Sequence, residues 1–226
     1  MLALRVILAL VVGYLLGSIP SGLLIGRALG IDVRATGSGK TGATNVLRSA
    51  GWGAGLSVAL ADILKSIVAI VLAQHLFAPP STPFSAVGSA WVAALTGLAV
   101  IIGHNYPIYV GFKGGRGVAT TGAMMLALSW PVALAALVFF IIPIARTRYV
   151  SLGSMVGAMS APFLFLCYAK FILAHGGALP PYTWPNFIAF LVAGLAVIAT
   201  HRDNIQRIRE GKERRLGERA TPVAVQ

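Results

Sequence analysis

VATTGAMMLALSWPVALAALVFFIIPIA (118–145) decides the architecture. It carries no charge and runs for 28 residues. One helical crossing of a bilayer needs about 20 apolar residues, and two need about 40. The stretch is therefore one long crossing or two short ones. Ser129-Trp130-Pro131 sits near its middle, and proline is favoured in the first turn of a helix, so a second helix can start there. The flanking charges arbitrate. Lys113 and Arg116 precede the stretch; Arg146 and Arg148 follow it. Cytoplasmic segments of membrane proteins carry the excess of Lys and Arg. With two crossings, 27–50, 105–117, 146–150 and the C-terminal tail share one side and hold fifteen of the eighteen basic residues. Arg5 and Lys170 fall on the other side, and Lys65 lies within a span. One crossing would put Arg146 and Arg148 opposite Lys113 and Arg116. The double crossing fits the rule better. The sequence thus predicts an all-α polytopic membrane bundle of seven transmembrane helices, N-terminus outside and C-terminus cytoplasmic. Its fourth and fifth spans would be short, requiring local thinning or burial in protein.

Working outward, the remaining charge-poor stretches predict spans near 4–26, 53–77, 86–104, 151–173 and 186–200. Ala78-Pro79-Pro80-Ser81-Thr82-Pro83 has a turn composition. Asp62 and Lys65 interrupt an apolar run; three apart, they share a helix face and can pair. The bulk composition agrees. Apolar residues make up 57% of the 226 and charged residues 11%, with a mean hydropathy of +0.83. Soluble domains carry about 45–50% and about 25%. The net charge of +12 would suggest nucleic acid in a soluble protein. Here it suggests the positive-inside bias and contact with anionic lipid or substrate. The lone Cys167 excludes a disulfide framework. Val6 to Gly26 is charge-free and long enough to span, so it reads as a helix and not as a cleaved signal. Residues 1–200 read as the membrane domain with functional cytoplasmic loops, and 201–226 as a basic tail whose start joins the site.

Polar, glycine-rich sequence concentrates on the inner side: ATGSGKTGATNVLRSAG (35–51), GHNYPIYVGFKGGRGVATTGA (103–123), ARTRYVSLGS (145–154) and HRDNIQRIREGKE (201–213). Glycine lets backbone amides approach a ligand, and successive amides form anion nests beside Lys or Arg. Lys113, Gly114, Gly115, Arg116 and Gly117 have that character and precede a helix start, which adds partial positive charge. Gly37-Ser38-Gly39-Lys40-Thr41-Gly42 matches G-x-G-x-x-G, but no strand precedes it and no α/β domain exists to hold a dinucleotide. A Walker A reading fails because Arg34 stands where its first glycine is required.

Together these segments resemble the bacterial acyl-phosphate-dependent glycerol-3-phosphate acyltransferase family, integral membrane enzymes of phospholipid synthesis. The matching stretches are SIPSGLLIGR (18–27), GSGKTGATNVLR (37–48), ADILKS (61–66), GHNYPIYVGFKGGRGVAT (103–120), TRYVSLGS (147–154) and HRDNIQRIREGKE (201–213). The resemblance implies seven spans, a bacterial cytoplasmic (inner) membrane location and a site facing the cytoplasm. It implies transfer of an acyl group from acyl phosphate to the sn-1 hydroxyl of glycerol 3-phosphate, giving lysophosphatidate and phosphate, with no cofactor. By resemblance Ser38, Arg48, His201 and Asn204 are catalytic, Lys113 to Gly117 hold glycerol phosphate, and Glu213 is structural. Gly37, Gly39, Lys40, Thr44, Asn45 and His104 complete the expected binding set. Lys40-Thr41 replaces the family's Asn-Pro, which alters the expected loop shape and adds a cation.

Both substrates are anions, so Arg48, Lys113, Arg116 and Lys40 would offset their mutual repulsion. Candidates for the hydroxyl's base are His201, His104 and a substrate phosphate oxygen. An acyl-enzyme on Ser38 would need an activating base, and no carboxylate lies in 35–51, 103–123 or 145–154 to orient a histidine. Direct attack by the substrate hydroxyl is therefore expected. No metal is expected, since His and carboxylates are not clustered at ligand spacing. The expected partners are acyl phosphate, glycerol 3-phosphate and membrane lipid, not nucleic acid. A small transporter of phosphorylated metabolites is the rival class; it needs access from both sides, and the polar motifs lie on one.

Overall fold

The long helices follow from apolar runs that must satisfy their own backbone hydrogen bonds. A computed structural model describes residues 2–78, 85–175, 177–180 and 183–219, and all regular structure among them is helical. In order come α1 (Leu2–Gly17), α2 (Ser21–Ala28), α3 (Ala43–Phe77), α4 (Ser85–Asn105), a 3-10 turn (Ile108–Val110), α5 (Val118–Leu128), α6 (Trp130–Thr147), α7 (Val150–Tyr168), a π turn (Ala169–Leu173), α8 (Thr183–Thr200) and α9 (Arg202–Arg209). Six stretches are long and apolar enough to cross a membrane: Ala3–Ala28, Ala43–Phe77, Val87–Val110, Val118–Thr147, Val150–Leu173 and Thr183–Thr200. The turn read at 79–83 and the last residues of the basic tail, 220–226, lie outside the described residues.

The helix breaks carry the shape. Pro20 ends the run expected to continue from 4 to 26, because it lacks an N–H and crowds the preceding turn. Gly51, at φ 87° and ψ 178°, breaks α3 in a region open to glycine. The eight residues before it, expected as loop, are helical. They fold back so closely that a Cβ on Gly55 would fall 2.5 Å from the Cβ of Leu47. Ser129, at φ −163° and ψ 88°, separates α5 from α6, and Pro131 stands in the first turn of α6.

The two ends of 118–147 meet the same C-terminal segment. Arg116 pairs with Asp203, and Arg148 exchanges backbone and side-chain hydrogen bonds with Leu216. Thirty residues of straight helix would span about 45 Å. The segment instead doubles back at Ser129. Its second limb, α6, packs antiparallel on α7, where Gly153 and Gly157 face Phe140 without room for a Cβ. The main core lies between α3, α4, α5, α7 and α8, around Ile70, Ile101, Met124, Phe165 and Phe190. The last two rings meet edge to face at 5.3 Å.

Candidate active site

The first inner segment is wound around one side chain. Asn45 accepts the Ser38 N–H at 2.9 Å and donates to the carbonyls of Val33, Thr36 and Lys40. Gly37 and Gly39 take positive φ to make that turn. One helical turn after Asn45, Thr36 and Ser49 join hydroxyls at 2.7 Å. Arg48 then projects toward the tail: its Nη2 donates to the Arg214 carbonyl at 3.1 Å, and its Nε is buried with no partner among the described residues.

The glycine-rich second segment differs from the anion nest expected of it. The N–H groups of Gly114 and Gly115 donate to the carbonyls of Asn105 and His104. Those carbonyls end α4 and would otherwise lack partners. Arg34 clamps the same loop through the carbonyls of Val110 and Lys113. These two amides are thus engaged within the protein, and Arg116 and Gly117 are the loop residues that reach the cavity. Arg116 makes a bidentate pair with Asp203 at 2.9 and 2.7 Å.

The tail is tied down at Glu213, which is buried. Its Oε1 accepts from Ser151 and Asn204 at 2.8 and 2.7 Å, and its Oε2 from Arg207 Nε at 2.9 Å. Arg207 also reaches Asp203 at 3.1 Å. Burial works against the Asp203 charge, yet Arg116 and Arg207 hold its carboxyl below the usual range. Burial likewise opposes the Arg207 charge, but Glu213 and Asp203 raise its pKa. His201, also buried, has its Nδ1 2.8 Å from the Val197 carbonyl. That nitrogen carries the proton, and Nε2 keeps the lone pair. Burial, assisted by Arg116, pushes the His201 pKa down to about 4.

These pieces enclose a cavity of about 720 Å³ with two unlike ends. Ser38, Arg48, Arg116, His201, Asn204 and Arg214 line the polar end. Apolar faces of α3, α5, α6 and α7 line the other, from Leu56 and Ile63 through Leu126 and Leu134 to Phe140. Leu56, Leu126, Leu134 and Leu137 on these faces remain exposed, so the apolar end is open and not sealed by packing. Lys40, Thr44, Asn45, His104 and Gly117 line the cavity as well; Gly37, Gly39, Lys113, Gly114 and Gly115 do not.

Sequence reasoning missed Ser151, Ser154, Arg207 and Arg214 on the cavity wall, although the first three lie in the polar segments that it singled out and Arg214 directly follows the last of them. It also missed Asp62, whose Oδ1 lies 3.4 Å from His104 Nδ1. A carboxylate does stand beside a cavity histidine, supplied by a helix and not by an inner loop. Among the described residues no three His, Cys, Asp or Glu side chains group at metal-ligand distance.

Residues 7–211 match the family model described as glycerol-3-phosphate acyltransferase. The chain is similar to proteins of that name from Geobacter sulfurreducens (44% identical, covering 91% of this chain and 94% of that one). The one from Thermus thermophilus is 41% identical, covering 93% and 95%. Two crystal structures of PlsY, an integral membrane glycerol 3-phosphate acyltransferase, in glycerol 3-phosphate and lysophosphatidic acid forms, have the same fold. Each has a TM-score of 0.75 at 35% identity, covering 94% of this chain and 96% of that one.

Proposed function

The chain belongs to the glycerol-3-phosphate acyltransferase family, and from that premise we propose that it moves a fatty acyl group from acyl phosphate to the sn-1 hydroxyl of glycerol 3-phosphate. It is a multi-pass membrane enzyme that acylates glycerol 3-phosphate in phospholipid synthesis. The observation that carries the finer reading is the two-ended cavity. A cationic end suits two phosphates, and an apolar end open to lipid suits a chain that arrives through the bilayer. An acyl phosphate already dissolved in the membrane needs no carrier-protein dock.

In this mechanism Arg48 and Arg116 hold the phosphates, with Ser38 and Asn204 between them. The acceptor hydroxyl oxygen attacks the acyl carbonyl carbon. The bond from that carbon to the phosphate oxygen breaks, and inorganic phosphate leaves with the bonding pair. Holding both reactants in place contributes about 7–11 kcal/mol toward the barrier. Phosphate is a good leaving group, so little acid catalysis is needed. The hydroxyl proton passes to a phosphate oxygen, whose second pKa is about 6. His201, with a pKa of about 4, is a weaker base, since a base works best near the operating pH. Its Nε2 acts by accepting and orienting a hydrogen bond. Glu213 holds Asn204 and α7 together behind them.

The site faces the cytoplasm of a bacterial inner membrane, on seven crossings with α5 and α6 as a short pair. Residues 1–200 form the membrane domain and 201–226 the basic tail, whose start contributes to the site. The test uses the purified protein, acyl phosphate and glycerol 3-phosphate, reading phosphate release. Release is expected, reduced at least about 100-fold in Ser38→Ala and Arg48→Ala, as for loss of a donor to a developing anion. No release, or release from both variants equal to that of the wild type, rejects the reading.

A further inference from the structure

Three ionisable side chains are buried inside the spans among the described residues, and the transfer described above uses none of them. Asp62, Lys65 and His104 are 2%, 8% and 8% exposed. Lys65 Nζ lies 2.8 Å from Asp62 Oδ1 and 3.3 Å from His104 Nδ1, and it donates at 2.7 Å to the Ile19 carbonyl at the break between α1 and α2. Charged groups at such depth are costly and are kept mainly where they act. A purely local pair would stop at Asp62 and Lys65, three apart on α3. The cluster goes on to His104, at the end of α4.

The other edge of that ring faces the glycine loop. A Cβ on Gly115 would overlap His104 Nε2, and one on Gly114 would overlap the His104 carbonyl. The same carbonyl and that of Asn105 accept the N–H groups of Gly115 and Gly114. The loop therefore lies directly on the His104 ring and on the end of its helix. The next residue is Arg116, which lines the polar end of the cavity.

We propose that the Asp62–Lys65–His104 cluster is a positioning device for the glycine loop: it fixes the ring on which Gly115 rests, and so the place where Arg116 meets glycerol 3-phosphate. The inference rests on the acyltransferase reading. Asp62 and Lys65 hold the ring from one edge, and Gly115 follows its other edge. A misplacement of about 1 Å in such a group costs about 100-fold in rate. Arg48 and Ser38, on the first segment, are not carried by this loop. Loosening the ring accordingly weakens the acceptor and spares the donor.

The test measures KM for each substrate with the full-length purified protein. Asp62→Asn and His104→Ala should each raise KM for glycerol 3-phosphate about tenfold and leave that for acyl phosphate within about twofold. Together they should be no worse than either alone, because they disable one device. Gly115→Ala keeps the cluster and displaces the loop against the ring. It should give the same selective rise, and with His104→Gln it carries the test should Asp62→Asn fail to fold. An unchanged acceptor KM in a folded variant, equal rises for both substrates, or additive effects overturn the proposal. If the wild-type protein releases no phosphate, the functional reading is what fails. The device is then read from glycerol 3-phosphate binding by calorimetry, where unchanged affinity in the variants overturns it.

Discussion

His201 shows how one residue's surroundings set what it can do. Burial removes the water that would stabilise an imidazolium, Arg116 repels it, and the Val197 carbonyl only partly compensates. Its pKa is about 4 when folded, against about 6.5 in an unfolded chain. Above pH 6.5 both states are neutral there, and the group adds no pH dependence. As pH falls from 6.5 toward 4 the unfolded chain binds the proton and the folded one does not, so stability falls. The loss approaches about 3 kcal/mol near pH 4. Asp203 does not confuse the range between pH 7 and pH 5, because the stability its lowered pKa confers is present above the usual carboxylate pKa of about 3.9 and is lost only as pH falls through and below it. Melting temperature in detergent is therefore expected to drop between pH 7 and pH 5 in the wild type and to drop less in His201→Gln. Identical slopes would show that His201 is not buried in its neutral form.

Among the elements, α5 carries the wall that matters for the acyl chain. Gly122 lines the cavity, and no heavy atom lies within 4 Å of where its Cβ would sit. A side chain added there would enter the groove without striking protein. Gly122→Phe should exclude two or more methylenes, each worth about 0.8 kcal/mol when buried. That amounts to about tenfold in kcat/KM for a sixteen-carbon acyl phosphate relative to a four-carbon one. Equal losses for both donors would place the chain elsewhere. The break that creates this wall was legible in the sequence, because Pro131 after Ser129 marks a helix start and the flanking cations demand a return. The break at Gly51 was not, since Gly51, Gly53 and Gly55 stand in one run that reads the same whether the helix bends at one of them or continues. Nor were the groove walls. Inside a membrane, residues facing lipid, core and substrate are all apolar, and only the packing of α3 against α5, α6 and α7 distinguishes them. The pairing of Asp62 with Lys65 was legible from helical spacing. Its extension to His104 required the contact between α3 and α4, which no local pattern encodes.

At the scale of the whole molecule the excess positive charge gathers at one end of the bundle. Arg116 and Arg148 both reach the tail through Asp203 and Leu216, so the cations flanking 118–147 lie at one end of the bundle with the polar end of the cavity. A transporter would need that cavity reachable from both ends, whereas its cationic lining gathers where the inner segments meet the tail. Sidedness is the remaining expectation. With Cys167 replaced by serine, single cysteines at Lys113, Arg146 and Lys170 can be probed in sealed vesicles with a membrane-impermeant thiol reagent. All three residues are exposed in the fold. Lys113 and Arg146 are expected to label from the cytoplasmic face and Lys170 from the opposite one. The argument is electrostatic as well as geometric. Moving the loops at 113 and 146 outward would carry Arg116, Arg148 and the tail with them, against the potential that retains Lys and Arg in the cytoplasm. Labelling of Lys113 and Arg146 from opposite faces would break the hairpin at Ser129. Labelling of both from outside would invert the bundle and expose the site to the wrong compartment.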